Sequence, residues 1–148
     1  WHALAAPMAT RMARLRWPED VERERTALVA VPLAGARERE RGFNQSARLA
    51  HALSHHWHTP VWGDVLVRAR ATETQTRLTP EARRRNVSGA FRAVAGTRAR
   101  LRGAHVMLVD DVVTTGATLV ECASALLDGG ARIVSFVTFG RAPASGDR

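Results

Sequence analysis

The sequence predicts an α/β fold, with a mostly parallel sheet flanked by helices on both faces, and three observations lead there. Short, continuous apolar runs, Ala27 to Val31 and Val106 to Val109, lack polar alternation, as in strands covered on both faces. Stretches with helical spacing lie between such runs, so strands and helices alternate along the chain, the order of a parallel sheet. The third observation is the run Val106-Met107-Leu108-Val109-Asp110-Asp111-Val112-Val113-Thr114-Thr115-Gly116-Ala117-Thr118-Leu119. Its apolar residues lead into two acids, a Thr/Gly-rich turn and a helical pattern that lasts to Asp128.

Taken in order, Leu4, Met8, Met12 and Leu15 are spaced by four, four and three, on one face of a helix over 3–16 that Pro18 ends. The run 27–31 is a strand closed by Pro32, which has no N–H for a ladder. Residues 34–43 form a charged loop ending Arg41-Gly42-Phe43. Asn44 is then the N-cap of a helix through Leu49, Ala52 and Leu53 to about Trp57. Arginines thus sit at the C-terminal end of a strand, where ligands of open α/β sheets bind; an exposed charged connector has the same local pattern. His51, His55, His56 and His58 cluster toward the end of that helix, and His51 and His55 share a face at a spacing metals can use. No acid or cysteine lies close by and histidine is common in a last helical turn, so no metal site is expected. Trp57 and Trp62 are expected to cover the core edge.

Val65 to Val67 is a second short strand. From Arg68 to Gly89 the chain is polar, broken by a short helix that Thr79 caps and Pro80 opens. Connections beyond about 12–15 residues are uncommon and usually functional, so segment 70–90 is expected to be a mobile cover. A strand returns near Phe91 to Ala95. The central strand 105–110, a helix over 116–128 closed by Gly129-Gly130, and a last strand over 132–139 complete the fold. Residues 140–148 are expected to be a disordered tail.

The chemistry concentrates in 106–119. Ionised Asp110 and Asp111 are acceptors only, which suits the vicinal hydroxyls of a ribose. Thr114, Thr115 and Thr118 bring hydroxyl donors, and Gly116 lets the backbone come close to a ligand. The amides from Thr115 to Thr118 open a helix, where unpaired N–H groups and the dipole favour an anion. A 5-phosphate with a ribose beside it fits. Two other readings share parts of this pattern: a capped helix start with no ligand, and the magnesium-binding strand of nucleoside triphosphatases. The latter needs a P-loop lysine, and the chain contains no lysine.

With 148 residues, 45% apolar and 24% charged, the chain is long enough for one sizeable core and is expected to form a single domain. No apolar run reaches the ~18–20 residues of a membrane helix. The lone Cys122 excludes internal disulfides and a cysteine-based zinc site, and a cytoplasmic home is expected. The chain opens Trp1-His2-Ala3, so a fragment or trimmed chain is expected. All 22 basic residues are arginine and the net charge is +8. Such a balance suits phosphorylated metabolites or nucleic acid, or solvated arginines beside glutamates as in Arg37-Glu38-Arg39-Glu40-Arg41.

Three stretches together resemble the competence protein F (ComF) family of type I phosphoribosyltransferases. They are the signature at 106–119; Val31-Pro32-Leu33 followed by Arg37 and by Arg41-Gly42-Phe43-Asn44-Gln45; and Gln75, Leu78, Arg83, Asn86 and Phe91 at the family's offsets. The resemblance covers 31–119. It implies a phosphoribosyltransferase-like fold and a site for phosphoribosyl pyrophosphate (PRPP). Asp110 and Asp111 would hold the ribose hydroxyls, and Thr114, Thr115, Gly116, Ala117 and Thr118 the 5-phosphate. Arg37, Arg41 and Arg83 would serve the leaving pyrophosphate. Magnesium is expected to come with the ligand, bridging pyrophosphate and ribose oxygens. The implied activity is displacement of pyrophosphate by a nucleophile; the other reading is a non-catalytic accessory protein that keeps the site as sensor or scaffold. The family is linked to natural DNA uptake, which makes single-stranded DNA and the competence machinery candidate partners. Many members carry an N-terminal four-cysteine zinc ribbon; its absence from this sequence fits the expectation of an N-terminally truncated chain.

Overall fold

The computed structural model describes residues 3–33, 42–70 and 79–142. Among these described residues, five strands and six helices follow in the order α1 (Ala5–Met12), α2 (Glu19–Glu24), β1 (Arg25–Ala30), α3 (Gln45–Trp57), β2 (Leu66–Arg68), α4 (Pro80–Val87), β3 (Phe91–Ala93), α5 (Arg98–Leu101), β4 (His105–Val113), α6 (Ala117–Asp128) and β5 (Ile133–Arg141). The main sheet is parallel, in the order β1-β4-β5, with Leu28 beside Met107 and Val109 beside Val137. The apolar run 106–109 is therefore the central strand.

Successive side chains of a strand point to opposite faces, and β4 follows that rule. Val106 and Leu108 pack with Leu119, Cys122 and Leu126 of α6, while Met107 and Val109 pack with Met8 and Met12 of α1 and with Leu49 and Leu53 of α3. Helices thus cover both faces. Leu28, Leu108 and Leu126 are fully buried, each stabilising the fold by about 1.5–3 kcal/mol from burial alone. Trp57 and Trp62 lie at the edges of the two cores, each beneath an arginine: Arg25 is 4.5 Å from the Trp57 ring and Arg100 5.1 Å from Trp62.

Several boundaries differ from expectation for identifiable reasons. Helix α1 is shorter than 3–16: Met8 and Met12 are buried as expected, but Leu4 and Leu15 are 54% and 48% exposed. After Met12 the chain tightens into i→i+3 bonds, Arg14 N–H to Arg11 O and Leu15 N–H to Met12 O, and leaves the core. Pro18 stands at the N-cap of α2, whose first turn holds Glu19, Asp20 and Glu22, acids that suit the positive end of the helix dipole. β2 and β3 do not join the parallel sheet. They form a separate antiparallel pair, with Leu66 opposite Ala93 and Arg68 opposite Phe91. At the free edge of β1, Leu28 exchanges backbone bonds with Pro60 and Trp62, so the segment around Val61 shields that edge.

Two sequence-read caps are present. The Asn44 carboxamide oxygen accepts from Ala47 N–H at 3.3 Å, and Thr79 Oγ1 accepts from Ala82 N–H at 3.2 Å. The helix after β4 ends at Gly129, where an added Cβ would stand 2.7 Å from Ala93 Cβ, so only glycine allows that approach to β3. β5 runs to Arg141, two residues into the segment expected as a tail, and 143–148 lie outside the described residues. Among the described residues no helix is long and apolar enough to cross a membrane.

Candidate functional site

A cavity of about 320 Å³ opens at the C-terminal end of β4. Its walls are Asp110 and Asp111 with the end of β4, the turn Thr114–Gly116, the start of α6 at Ala117–Leu119, the stretch Val31–Leu33 after β1, Gln45 and Ser46 at the start of α3, and Arg68 at the end of β2. The fold thus brings together Asp110, Asp111, Thr114, Thr115, Gly116, Ala117 and Thr118, all half-buried around one space.

The backbone explains why polar groups collect here. Val31 N–H donates to Val109 O at 3.0 Å, and in a parallel ladder the next bond would run from Asp111 N–H to Val31 O. That carbonyl instead accepts from Asn44 Nδ2 at 3.0 Å, as the chain turns away from β4. The Asp111 N–H is taken by Asp110 Oδ1 at 3.0 Å, and Val112 N–H by Asp111 Oδ1 at 2.8 Å. The strand does not stop at the acids, as expected from sequence, but pairs with β5 as far as Val113. Ser46 Oγ donates to the same Asp110 Oδ1 at 2.7 Å. Burial pushes the Asp110 carboxyl up to about 6; the Ser46 bond works against that rise and the neighbouring Asp111 charge adds to it.

Another part of the lining is a helix start. Gly116 has φ +77, a conformation that strains other residues, and an added Cβ would meet no atom within 4 Å. Its glycine is thus required by the backbone turn and not by crowding within the protein. Val120 N–H donates to Gly116 O at 3.0 Å, so the amides of Ala117, Thr118 and Leu119 precede the helical ladder. Thr115 Oγ1 accepts from Ala117 N–H at 3.4 Å. Together these place N–H and hydroxyl groups at the positive end of a 12-residue helix in the lining of the same cavity as the two carboxyls. Such a pairing of donors and acceptors suits a ligand with an anionic group at one end and hydroxyls at the other.

Of the arginines expected to serve a leaving group, Arg37 and Arg41 lie outside the described residues, and Arg83 is described only as part of the α4 backbone. The cavity does border Leu33, the residue that leads into 34–41. Helix α4 is tied beside the site: Arg70 donates to the carbonyls of Asn86 and Ser88, and Gly89 N–H donates to Glu121 on α6. Residues 71–78 of the expected cover lie outside the described residues.

Sequence reading missed Gln45, Ser46 and Arg68 at the cavity. Gln45 and Ser46 are 4% and 5% exposed, polar residues buried at a helix start, and Arg68 has its guanidinium 5.0 Å from the Phe91 ring. The first two follow directly on the Asn44 cap, a signal for position but not for role. Among the described residues no group of three or more His, Cys, Asp or Glu could hold a metal ion, the histidines of α3 included.

A family model, the phosphoribosyl transferase domain, matches residues 5–148. The chain is 41% identical over 128 residues to the DNA utilization protein YhgH of Salmonella typhimurium, covering 86% of this chain and 51% of that protein. It is 36% identical over 123 residues to competence protein F of Haemophilus influenzae, covering 83% and 50% respectively. The chain therefore spans about half the length of these curated relatives. Among solved structures, the glutamine PRPP amidotransferase from B. subtilis superposes with a TM-score of 0.61 at 19% identity, over 93% of this chain and 26% of that one, a likeness of fold.

Proposed function

The chain belongs to the phosphoribosyltransferase family, and from that premise we propose that the cavity binds PRPP and that the protein transfers its phosphoribosyl group with release of pyrophosphate. The observation that carries this reading is that two carboxyls and a helix start line one cavity at the end of the central strand. Asp110 and Asp111 accept from the ribose hydroxyls. The first-turn amides of α6 and the hydroxyls of Thr114, Thr115 and Thr118 hold the 5-phosphate, with Gly116 and Ala117 forming the backbone of that cradle.

Departure of pyrophosphate leaves positive charge on the sugar, so the protein's contribution is orientation and stabilisation of charge on the leaving group. Arg37, Arg41 and Arg83 are proposed for that second task, and Arg68 already lines the cavity. The lining offers carboxylate and hydroxyl oxygens, a donor set that suits a hard cation such as magnesium. We assign that ion to the ligand's own oxygens, where it would neutralise charge on the pyrophosphate.

The names of the relatives, competence protein F and DNA utilization protein, support a place for this activity in DNA uptake or use, with single-stranded DNA or the uptake machinery as partner. The direct test is pyrophosphate release from PRPP with magnesium, screened against nucleobases, ammonia and single-stranded DNA, alongside calorimetric titration of PRPP. Wild type should bind, and Asp110→Asn combined with Asp111→Asn should bind no PRPP while keeping its circular dichroism. Unchanged affinity in the double variant removes the site assignment. Binding without release under every acceptor leaves the accessory, non-catalytic reading.

A further inference from the structure

We propose that Ser46 is a positioning residue: from the first turn of α3 it fixes one oxygen of Asp110 so that the other is presented to the sugar hydroxyls. This rests on the proposed reading of the cavity. The geometry is specific. Ser46 Oγ lies 2.7 Å from Asp110 Oδ1, and Asp111 N–H reaches the same oxygen at 3.0 Å. Two donors on one oxygen fix the plane of the carboxyl and leave Oδ2 for a ligand in the cavity that Asp110 lines. Ser46 is 5% exposed, so its hydroxyl is held by its surroundings and spends little time on water.

The arrangement also joins two parts of the site. α3 begins directly after the segment that carries Arg37 and Arg41, and its N-cap Asn44 donates to the carbonyl of Val31 beside β4. Ser46, two residues on, makes the contact from that helix to the acid pair. A change in how α3 is seated would therefore alter the aim of Asp110.

Other charged or titratable groups face Asp110. Asp111 is its neighbour on β4, and Arg68 of β2 lines the same cavity. Burial pushes the Cys122 thiol of α6 up, the Asp110 charge adds to that rise, and the thiol stays neutral. Glu121, also on α6, is engaged by Gly89 N–H. α3 lines the cavity with the uncharged Gln45 and Ser46. Ser46 is thus a neutral side-chain donor that, with the Asp111 N–H, favours the charged carboxylate.

The test uses Ser46→Ala and Ser46→Thr in the whole chain, with two readouts. In ligand-free protein, the ¹³C shift of the Asp110 carboxyl is followed from pH 4 to 9. Loss of a hydroxyl bond to the charged form should raise its midpoint by about one pH unit in the alanine variant, and threonine should bring it back. PRPP affinity is then measured by calorimetry at several pH values. The wild-type to alanine ratio, in which the ligand's own titration cancels, should stay above one at pH 8.5, where Asp110 is ionised in both proteins and only its aim differs, and should be about five- to tenfold larger still at pH 5–6. An unmoved carboxyl midpoint overturns the proposal, as does a ratio of one at pH 8.5 or a loss of affinity that threonine does not restore. If wild type binds no PRPP at any pH, the reading of the cavity fails, while the ligand-free titration still decides whether Ser46 holds Asp110.

Discussion

Replacing Asp110 with asparagine should make the protein more stable at pH 8 while it loses PRPP. The carboxyl is held at about 6 against an ordinary 3.8, chiefly by burial. A difference of about two pH units corresponds to roughly 3 kcal/mol by which the ionised side chain opposes folding. The sign follows from which state binds the proton more tightly. The folded state does, so the group's contribution is most favourable below about pH 4, where it is protonated folded or unfolded. It is lost as pH rises through about 6. Asparagine has no charge to desolvate, and its oxygen can still accept from Ser46 and from Asp111 N–H, the two bonds that Oδ1 now takes. Its amide protons face the cavity, where water can reach them. Allowing for imperfect replacement, the gain at pH 8 should be about 2 kcal/mol, or roughly 4–8 °C in melting temperature for a chain of this length. Urea titrations of both proteins at pH 4.5, 6 and 8 would measure it. The gap should open with pH; an asparagine variant no more stable at pH 8, or better by the same amount at every pH, would refute the view that Asp110 is a buried charge kept at a cost.

Thr115→Val should weaken PRPP binding by about 1–3 kcal/mol, the scale of one hydrogen bond to a charged partner; calorimetry showing no change would put the anion elsewhere. Asn44→Ala removes both the cap on Ala47 N–H and the bond to Val31 O, and should lower stability by about 1–3 kcal/mol in urea titration.

What the sequence made legible was local. Asn44 before an apolar periodic run, Thr79-Pro80, and the uninterrupted run 106–109 each name their own structure within a few positions, and each is found where expected. The acid pair and the Thr/Gly turn are adjacent in sequence, so their convergence on one cavity required only a strand followed by a helix. Partners distant in sequence were not legible. Ser46 and Asp110 are 64 positions apart, and nothing near either residue names the other. The antiparallel pairing of β2 with β3 was equally hidden, because three-residue strands carry no pattern that tells direction. The helix at 3–16 was overread for a related reason. Leu4 and Leu15 keep the right spacing, but the surface that buries Met8 and Met12 does not extend to them.

The end of β4 is where the rules that build the rest of the sheet stop applying, and the site grows out of that change. Along 106–109 the strand is dry and its amides are satisfied by neighbours on both sides. At Val31 the neighbour departs, its carbonyl claimed by Asn44, and the Asp111 N–H is left facing a gap in the ladder. An apolar residue at position 110 would leave that N–H without its side-chain acceptor, and a buried donor left in that state costs about 1–3 kcal/mol. A carboxylate satisfies it but brings a charge into a poorly solvated place, which Ser46 relieves in part. An uncharged acceptor would serve the backbone as well and without the electrostatic cost. That the chain holds an acid there, with a second beside it and a helix start lining the same cavity, is difficult to explain by folding alone. It is explained if the charge meets a ligand with hydroxyl donors of its own.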